Sequence, residues 1–548
     1  MAGILKRFLS NPIKFYIESV LPKIYESSSY LKRRRSLSKL QQNYISKLRR
    51  YKIEWNDLNK KTVLAQSVSD YQMCIKIASL SNLLAKNESA NIGIYSAEYF
   101  SPPKNFYTRF FSSADYLNNL DKIYLSFAGK LLYRNNDFFK NTAIVENEFN
   151  RIYNSIKSKE DVLSIKIENC KIGDLIYDTY LRYTNKPQVD INDANLKLFI
   201  RQSIHIYFVA KQKIEDNNVC ALVSSYTTYI YHGIAVRICL EKNIPVHTVG
   251  AYYSLNHKVA KEYPSHANNH FNFKNLFKYI SNQEEIIKKY SLLFEKRFSG
   301  VIDSATNYMK SSAFSSDKNN ELDNLNWDKT VVILAHCFFD SPHIYRDLLF
   351  PDFYDWILFT IDELIKQKDL NILVKQHPNG LEGNDEIFKQ LQNKYTNDKV
   401  LFINKKTSQL QIIESKPKAI ITAYGTAAAE FSYQGFPVIT IYDNPFTAYD
   451  FIYLANSKQE YKYLLSEVNN LNPKQNKRDV IEYYYLQHFH FLNGREVDYM
   501  NCAKYKGQTF SEQFLNDYIP QITEDFLNMV DDAMKDGLNI SEWEEKII

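Results

Sequence analysis

Short, almost wholly apolar runs alternate with longer stretches of helical period along most of the 548 residues. Ile92-Gly-Ile-Tyr95, Ala143-Ile-Val145, Ala221-Leu-Val-Ser224 and Val246-His-Thr-Val249 form a first set of runs. Val331-Val-Ile-Leu-Ala335, Ile372-Leu-Val374, Val400-Leu-Phe-Ile403, Ala419-Ile-Ile421 and Pro437-Val-Ile-Thr-Ile-Tyr442 form a second. Strands covered on both faces read as continuous apolar runs, so each set predicts a parallel sheet whose crossovers are helices. Trp356-Ile-Leu-Phe-Thr-Ile-Asp-Glu-Leu-Ile365 has the period of one such helix. Ser311-Ser312, Ser315-Ser-Asp-Lys-Asn-Asn320 and Asp323 read as a polar linker between the sets. Past about residue 475 the pattern is helical.

The expected fold class is therefore α/β, with two Rossmann-like domains facing a cleft. The division is a basic amphipathic extension at 1–60, a first domain at 61–300, a linker at 301–326, a second domain at 327–475 and C-terminal helices at 476–548. No internal repeat, low-complexity tract or glycine-rich P-loop is present.

Charge sharpens this division. Residues 1–50 hold twelve Lys/Arg against Glu18 and Glu26, a net +10, whereas the whole chain carries only +6. Leu37, Leu40, Tyr44 and Leu48 recur there at helical spacing among Lys32-Arg-Arg-Arg35, Lys39, Lys47, Arg49 and Arg50. Such a stretch suits an anionic membrane surface; a solvated face or a nucleic-acid arm are the alternatives. Six scattered cysteines without metal-ligand spacing point to reduced thiols. Lys6 and Arg7 interrupt the apolar start, and no run of about 20 apolar residues follows. The expected location is cytoplasmic and peripheral on the inner face of the membrane. The 42 Tyr and 34 Phe read as compositional bias rather than as a set of sites.

Loops after the strands of a parallel sheet converge on one crevice, so the residues there are the candidates. His336 and Asp340 follow Val331–Ala335; Lys375, His377 and Pro378 follow Ile372–Val374; Thr422, Tyr424, Gly425 and Thr426 follow Ala419–Ile421. His377 is placed to donate to a phosphate oxygen, and Pro378 keeps it out of helical dihedrals. Gly425 permits close backbone approach, Thr426 is expected to cap the next helix, and the free N–H groups there attract an anion. Glu430, one turn on, is expected to bind a ribose hydroxyl pair.

His336-Cys-Phe-Phe-Asp340, Lys375-Gln-His-Pro378 and Gly425-Thr-Ala-Ala-Ala-Glu-Phe-Ser-Tyr-Gln-Gly-Phe-Pro-Val438 resemble the donor half of bacterial capsule and lipopolysaccharide glycosyltransferases of GT-B fold, capsule-type Kdo transferases among them. The resemblance spans about residues 90–460. The His-Pro and Ser/Thr turns are also similar to those of bacterial sialyltransferases, but the acidic-acidic-Gly base motif of those enzymes is missing. Ile172-Gly-Asp-Leu-Ile-Tyr-Asp-Thr-Tyr-Leu-Arg182 resembles a segment of the same capsule-type enzymes. As a helix from Gly173, it sets Asp174, Asp178 and Arg182 on one face.

The resemblance implies an inverting glycosyltransferase of bacterial surface polysaccharide synthesis. The donor would be a nucleotide-sugar, with CMP-Kdo or another CMP- or UDP-sugar in view, and the acceptor a glycan or lipid-linked glycan. Such an enzyme needs a group to take the acceptor's proton. Asp178 and Glu98 are preferred, with Asp174 and His232 also candidates. No Asp-x-Asp motif sits at a strand end and no His/Cys cluster has ligand spacing, so no metal and no cofactor beyond the nucleotide-sugar are expected. No nucleic acid is expected as a partner. The alternatives are a UDP-sugar 2-epimerase, a CDP-glycerol phosphotransferase of teichoic-acid type and a non-catalytic nucleotide-sugar- or glycan-binding subunit.

Overall fold

The computed structural model describes residues 42, 45–46, 48–58, 61–68, 71–97, 121–135, 137, 139–249, 257–265, 269–303, 312–314, 322–323, 325–345, 347–378, 380–381, 383–403 and 405–489. Two six-stranded sheets dominate. The first contains β1 (Thr62–Ser67), β2 (Asn91–Ser96), β3 (Lys130–Arg134), β6 (Val219–Ser224), β7 (Val246–Thr248) and β8 (His257–Lys258), in the order β3-β2-β1-β6-β7-β8. All pairs are parallel except β7 with β8. β4 (Lys166–Ile167) and β5 (Cys170–Lys171) make a separate antiparallel ribbon.

The second sheet is wholly parallel. It orders β9 (Thr330–Leu334), β10 (Asn371–Lys375), β11 (Val400–Ile403), β12 (Ala419–Ile421), β13 (Val438–Ile441) and β14 (Tyr453–Ala455) as β11-β10-β9-β12-β13-β14. Each sheet grows outward in two directions from its first strand. The order reverses beside β1 in one half and beside β9 in the other, and such reversals open a crevice at the strands' carboxyl ends. The α/β, two-domain GT-B-like architecture is thus present.

Alternate residues serve opposite faces. Val331 and Ile333 pack with the helix Phe353–Ile365, while Val332 and Leu334 pack with helices on the other side. That two-sided burial explains why the second sheet's strands were visible as unbroken apolar runs. Ala143-Ile-Val145 is not a strand but the start of the helix Thr142–Ser155. Asn141 caps it by accepting from Ile144 N at 3.3 Å, and Val145, Phe149 and Ile152 are buried at helical spacing.

The domain division also shifts. The helices Phe273–Lys278 and Gln283–Glu295 share a core with Val332, Leu373, Ile420 and Val438, so they belong to the second half and not to a first domain reaching residue 300. The helix Lys477–His488 joins the same core; residues 491–548 lie outside the described residues. At the other end, Leu48 is fully buried among Val63, Ile77 and Ile92, so the last part of the expected extension docks on the first sheet. Residues 1–41, and the membrane expectation with them, lie outside the described residues. Among the described residues no helix is long and apolar enough to cross a membrane.

A buried ion cluster ties the second half together. Arg297 donates to both oxygens of Asp303, with Nη2 to Oδ1 at 3.0 Å, and through Nη1 to Glu430 Oε1 at 3.0 Å. Tyr484 OH adds a bond to Asp303 at 2.6 Å. Removing one partner from such a cluster strands charge in the interior. Arg297→Met should therefore destabilise the fold by about 3–5 kcal/mol in urea unfolding, because two buried carboxylates lose their cation.

Candidate functional site

A cleft of about 1390 Å³ opens between the carboxyl end of the second sheet and the first half. All ten residues expected at the donor side line it: His336, Asp340, Lys375, His377, Pro378, Thr422, Tyr424, Gly425, Thr426 and Glu430. Their convergence follows from the register, since β9 lies between β10 and β12 and all three strands end at one level.

Lys375 is the last residue of β10 and is 1% exposed. Its Nζ has no hydrogen-bond partner among the described residues. Burial alone pushes its pKa down to about 8. His377, two residues on, is lowered to about 4 by burial and by the charge of Lys375. Among the described residues no acid is bonded to the Lys375 ammonium in this corner.

His336 serves differently from the expectation that it binds donor. Its Nε2 accepts from Tyr424 N at 3.3 Å and lies 3.3 Å from Thr422 Oγ1, while its ring stacks on Phe353 at 4.7 Å. An acceptor Nε2 is an unprotonated one, in keeping with a pKa lowered by burial, and then by His377, to about 3. It braces the end of β9 against that of β12. Gly425 packs close beside it: a Cβ there would be tight, 3.2 Å from Thr422 Oγ1, and in ordinary contact at 3.6 Å with the His336 ring.

Two further expectations need correction. Thr426 does not cap the helix Ala427–Tyr433 with its side chain, because its own dihedrals are already helical. The N–H groups of Ala428 and Ala429 are taken by the carbonyls of Gly425 and Thr426, so this seven-residue helix offers fewer free amides than expected. Glu430 is fixed by Arg297 rather than free; burial pushes its carboxyl up against the opposing pull of that guanidinium.

From the first half, Arg182, Tyr229 and His232 line the same cleft. Arg182 Nη1 stands 3.8 Å from Asp340 Oδ1, a loose pair with an exposed carboxylate. Tyr229 adopts φ 59°, unusual for a bulky residue, and its hydroxyl accepts from Ser341 Oγ at 2.6 Å. Asp174 and Asp178, although on the predicted helix Gly173–Thr184, do not reach the cleft. Asp174 pairs with Arg237 at 2.5 Å and Asp178 with His343 at 2.6 Å, both beside a smaller cavity of about 420 Å³. Their face of the helix is covered by the turn Pro342–Ile344 and the helix Tyr229–Glu241. Glu98 lies outside the described residues.

Lys405, Lys406 and Thr407, just past β11, also line the cleft and escaped notice, although the strand-end rule that found Lys375 applies to them equally. Among the described residues no group of three or more His, Cys, Asp and Glu is placed to hold a metal ion.

No protein-family model matches the chain, and no curated protein does. Among solved structures, the chain is similar to Thermosulfurimonas dismutans KpsC, beta Kdo 2,4 transferase, at 12% identity over 49% of this chain and 80% of that one, with a TM-score of 0.29. It is also similar to Anabaena Alr3699/HepE in complex with UDP and glucose, at 9% identity over 86% and 99% of the two chains and a TM-score of 0.26. The S. aureus MnaA–UDP co-structure matches at 12% identity over 79% and 96%, with a TM-score of 0.24. At these scores they add nothing to what the two sheets show.

The unbalanced Lys375 has a measurable consequence. Its pKa is about 8 in the folded chain and about 10.4 unfolded, so ligand-free stability rises with pH between those values and bears the full cost below pH 8. At pH 7, Lys375→Met should raise the melting temperature of the ligand-free protein, by roughly 3 kcal/mol of stability at most, from the lowering to about 8. A melting temperature that falls instead would mean the ammonium has a partner.

Proposed function

We propose that the chain is a metal-independent, inverting glycosyltransferase of bacterial surface polysaccharide synthesis. It moves a sugar from a CMP- or UDP-sugar to a glycan or lipid-linked acceptor. The observation that carries this reading is the buried, unpartnered ammonium of Lys375, set beside His377 at a strand end in the cleft. A phosphate group supplies the missing negative charge, and more of it develops as the sugar–phosphate bond breaks, so a preorganised cation there favours the departing nucleotide. Neutral His377 donates one hydrogen bond to the same phosphate. Small-ligand sites usually occupy about 300–1,000 Å³. The cleft of about 1390 Å³ exceeds that range and adjoins a second cavity of about 420 Å³, so donor and acceptor have separate places, which favours transfer over a one-substrate epimerisation.

Cytoplasmic location and docking of the basic residues ahead of Leu48 on the inner membrane face belong to this proposal and rest on sequence alone. The test begins with thermal shift against CMP, CDP, UMP and UDP. At a hundred times its dissociation constant, a true ligand stabilises the fold by about 2.7 kcal/mol. Lys375→Met should abolish that gain. His377→Gln should retain binding within a few-fold while nucleotide release from the matching sugar donor falls by at least tenfold; unchanged release would remove His377 from the mechanism, and no release by the wild type from any donor would leave a binding subunit as the better reading. If all four nucleotides leave the melting point unmoved, the donor site is refuted.

A further inference from the structure

The pair Asp178–His343 takes no part in the cleft, yet it has the construction of a proton-transfer device. His343 comes from the turn Pro342–Ile344 of the second half, and Asp178 from the helix Gly173–Thr184 of the first. Asp178 Oδ1 is 2.6 Å from His343 Nδ1, and Oδ2 accepts the backbone N–H of His343 at 3.3 Å. One carboxylate therefore fixes both the position of the ring and its tautomer: Nδ1 carries the hydrogen and Nε2 the lone pair. Tyr177 meets the ring edge-on at 5.2 Å. Nε2 itself is buried and has no hydrogen-bond partner among the described residues.

His343 lines the smaller cavity, whose volume of about 420 Å³ falls within the range of single small-ligand sites. This cavity shares Thr228, Ile344 and Tyr345 with the main cleft, so the two spaces abut. Its charges largely cancel. Arg237 is engaged by Asp174, Asp178 by His343 and Lys261 by Glu241, which leaves Lys166 and Lys171 on the same wall as Glu262 and Asp347. A wall with both signs in balance does not select an ion; it offers donors and acceptors to a neutral polyol.

We propose that the smaller cavity holds the acceptor, a neutral sugar, and that His343 Nε2 removes the proton from its attacking hydroxyl. Asp178 is the positioning residue. The inference rests on the glycosyltransfer reading above. As the hydroxyl oxygen bonds to the anomeric carbon, the bond from that carbon to the phosphate oxygen breaks, and its electron pair leaves with the nucleotide beside Lys375. The hydroxyl proton passes to Nε2 and is then lost to water, so the imidazole returns to its starting form.

The charged groups around His343 set the pH at which it works. Burial lowers its pKa, but Asp178 and Asp174 from the helix and Asp352 ahead of Phe353–Ile365 outweigh that, and the net direction is up from 6.5. Across the cavity, Arg237, Lys166, Lys171 and Lys261 carry the opposite sign. A base must lose its proton before it acts, so the rate rises with pH through a midpoint above 6.5.

The experiment uses the full chain, a panel of UDP- and CMP-sugars and water as the acceptor, read as nucleotide release across a pH series. We expect His343→Gln to lower release at least a hundredfold, in line with general-base contributions, while the nucleotide thermal shift is unchanged. Asp178→Asn should move the acidic limb to lower pH, an effect that simple loss of packing does not produce. Release by His343→Gln at the wild-type rate overturns the proposal, as does a wild-type protein that binds nucleotide but releases none from any sugar. If His343→Gln fails to fold, the wild-type profile decides: a midpoint at or below 6.5 refutes His343 as the base. Failure of every nucleotide to bind is a different result, and it removes the glycosyltransfer reading itself.

Discussion

Taking an ammonium out of water costs several kcal/mol, and the cost stands unless an opposite charge is placed beside it. Lys375 is held in that condition by backbone geometry. It closes β10, the strand pairs with β9 along its whole length, and the crevice beside β9 is where the sheet's order reverses. Burial likewise keeps His377 and His336 neutral, so the Lys375 ammonium stands beside uncharged imidazoles at the carboxyl end of the sheet. The arrangement costs stability in the ligand-free protein, which the proposed anion would restore, the usual direction of compromise at a functional site.

How legible this was in the sequence depended on which side chains do the packing. β9 through β13 announce themselves because both their faces are apolar. β1, at the centre of the first sheet, does not: Thr62, Gln66 and Ser67 are polar and still buried. Gln66 Nε2 donates to Tyr95 OH at 2.8 Å, and its Oε1 accepts from Ser225 N and Oγ. Buried polar groups at both ends of the strand leave only the short run Val63–Ala65 to read. Ala143-Ile-Val145 misled for the opposite reason, since the apolar partners that give it helical period, Phe149 and Ile152, lie beyond the run.

The strand-end argument placed ten residues on one cleft because it relies only on parallel topology. It failed where the outcome depends on a distant partner. Asp178 is separated from His343 by 165 positions, and nothing local to the helix foretells that pairing. The two halves meet through several such contacts. Tyr177 OH donates to the buried Asp352 at 2.6 Å, and Ser265 Oγ to the carbonyl of Ile344 at 2.6 Å. Tyr229 and Ser341, both left-handed, are bonded to each other across the gap. Left-handed backbone at residues other than glycine costs of order 1–3 kcal/mol each, so this contact is a place where the cleft's walls are held under tension.

The seam between the halves also governs how the molecule can be taken apart. Phe273, Phe277, Tyr290 and Phe294 lie well ahead of the polar stretch that looks like a hinge, yet they are packed against Val332, Leu373 and Ile420. A fragment begun at residue 301 would strip Phe273, Phe277, Tyr290 and Phe294 from one surface of its sheet and would lack Arg297, the cation paired with Glu430. Any dissection into independently expressed pieces has to cut before Phe273.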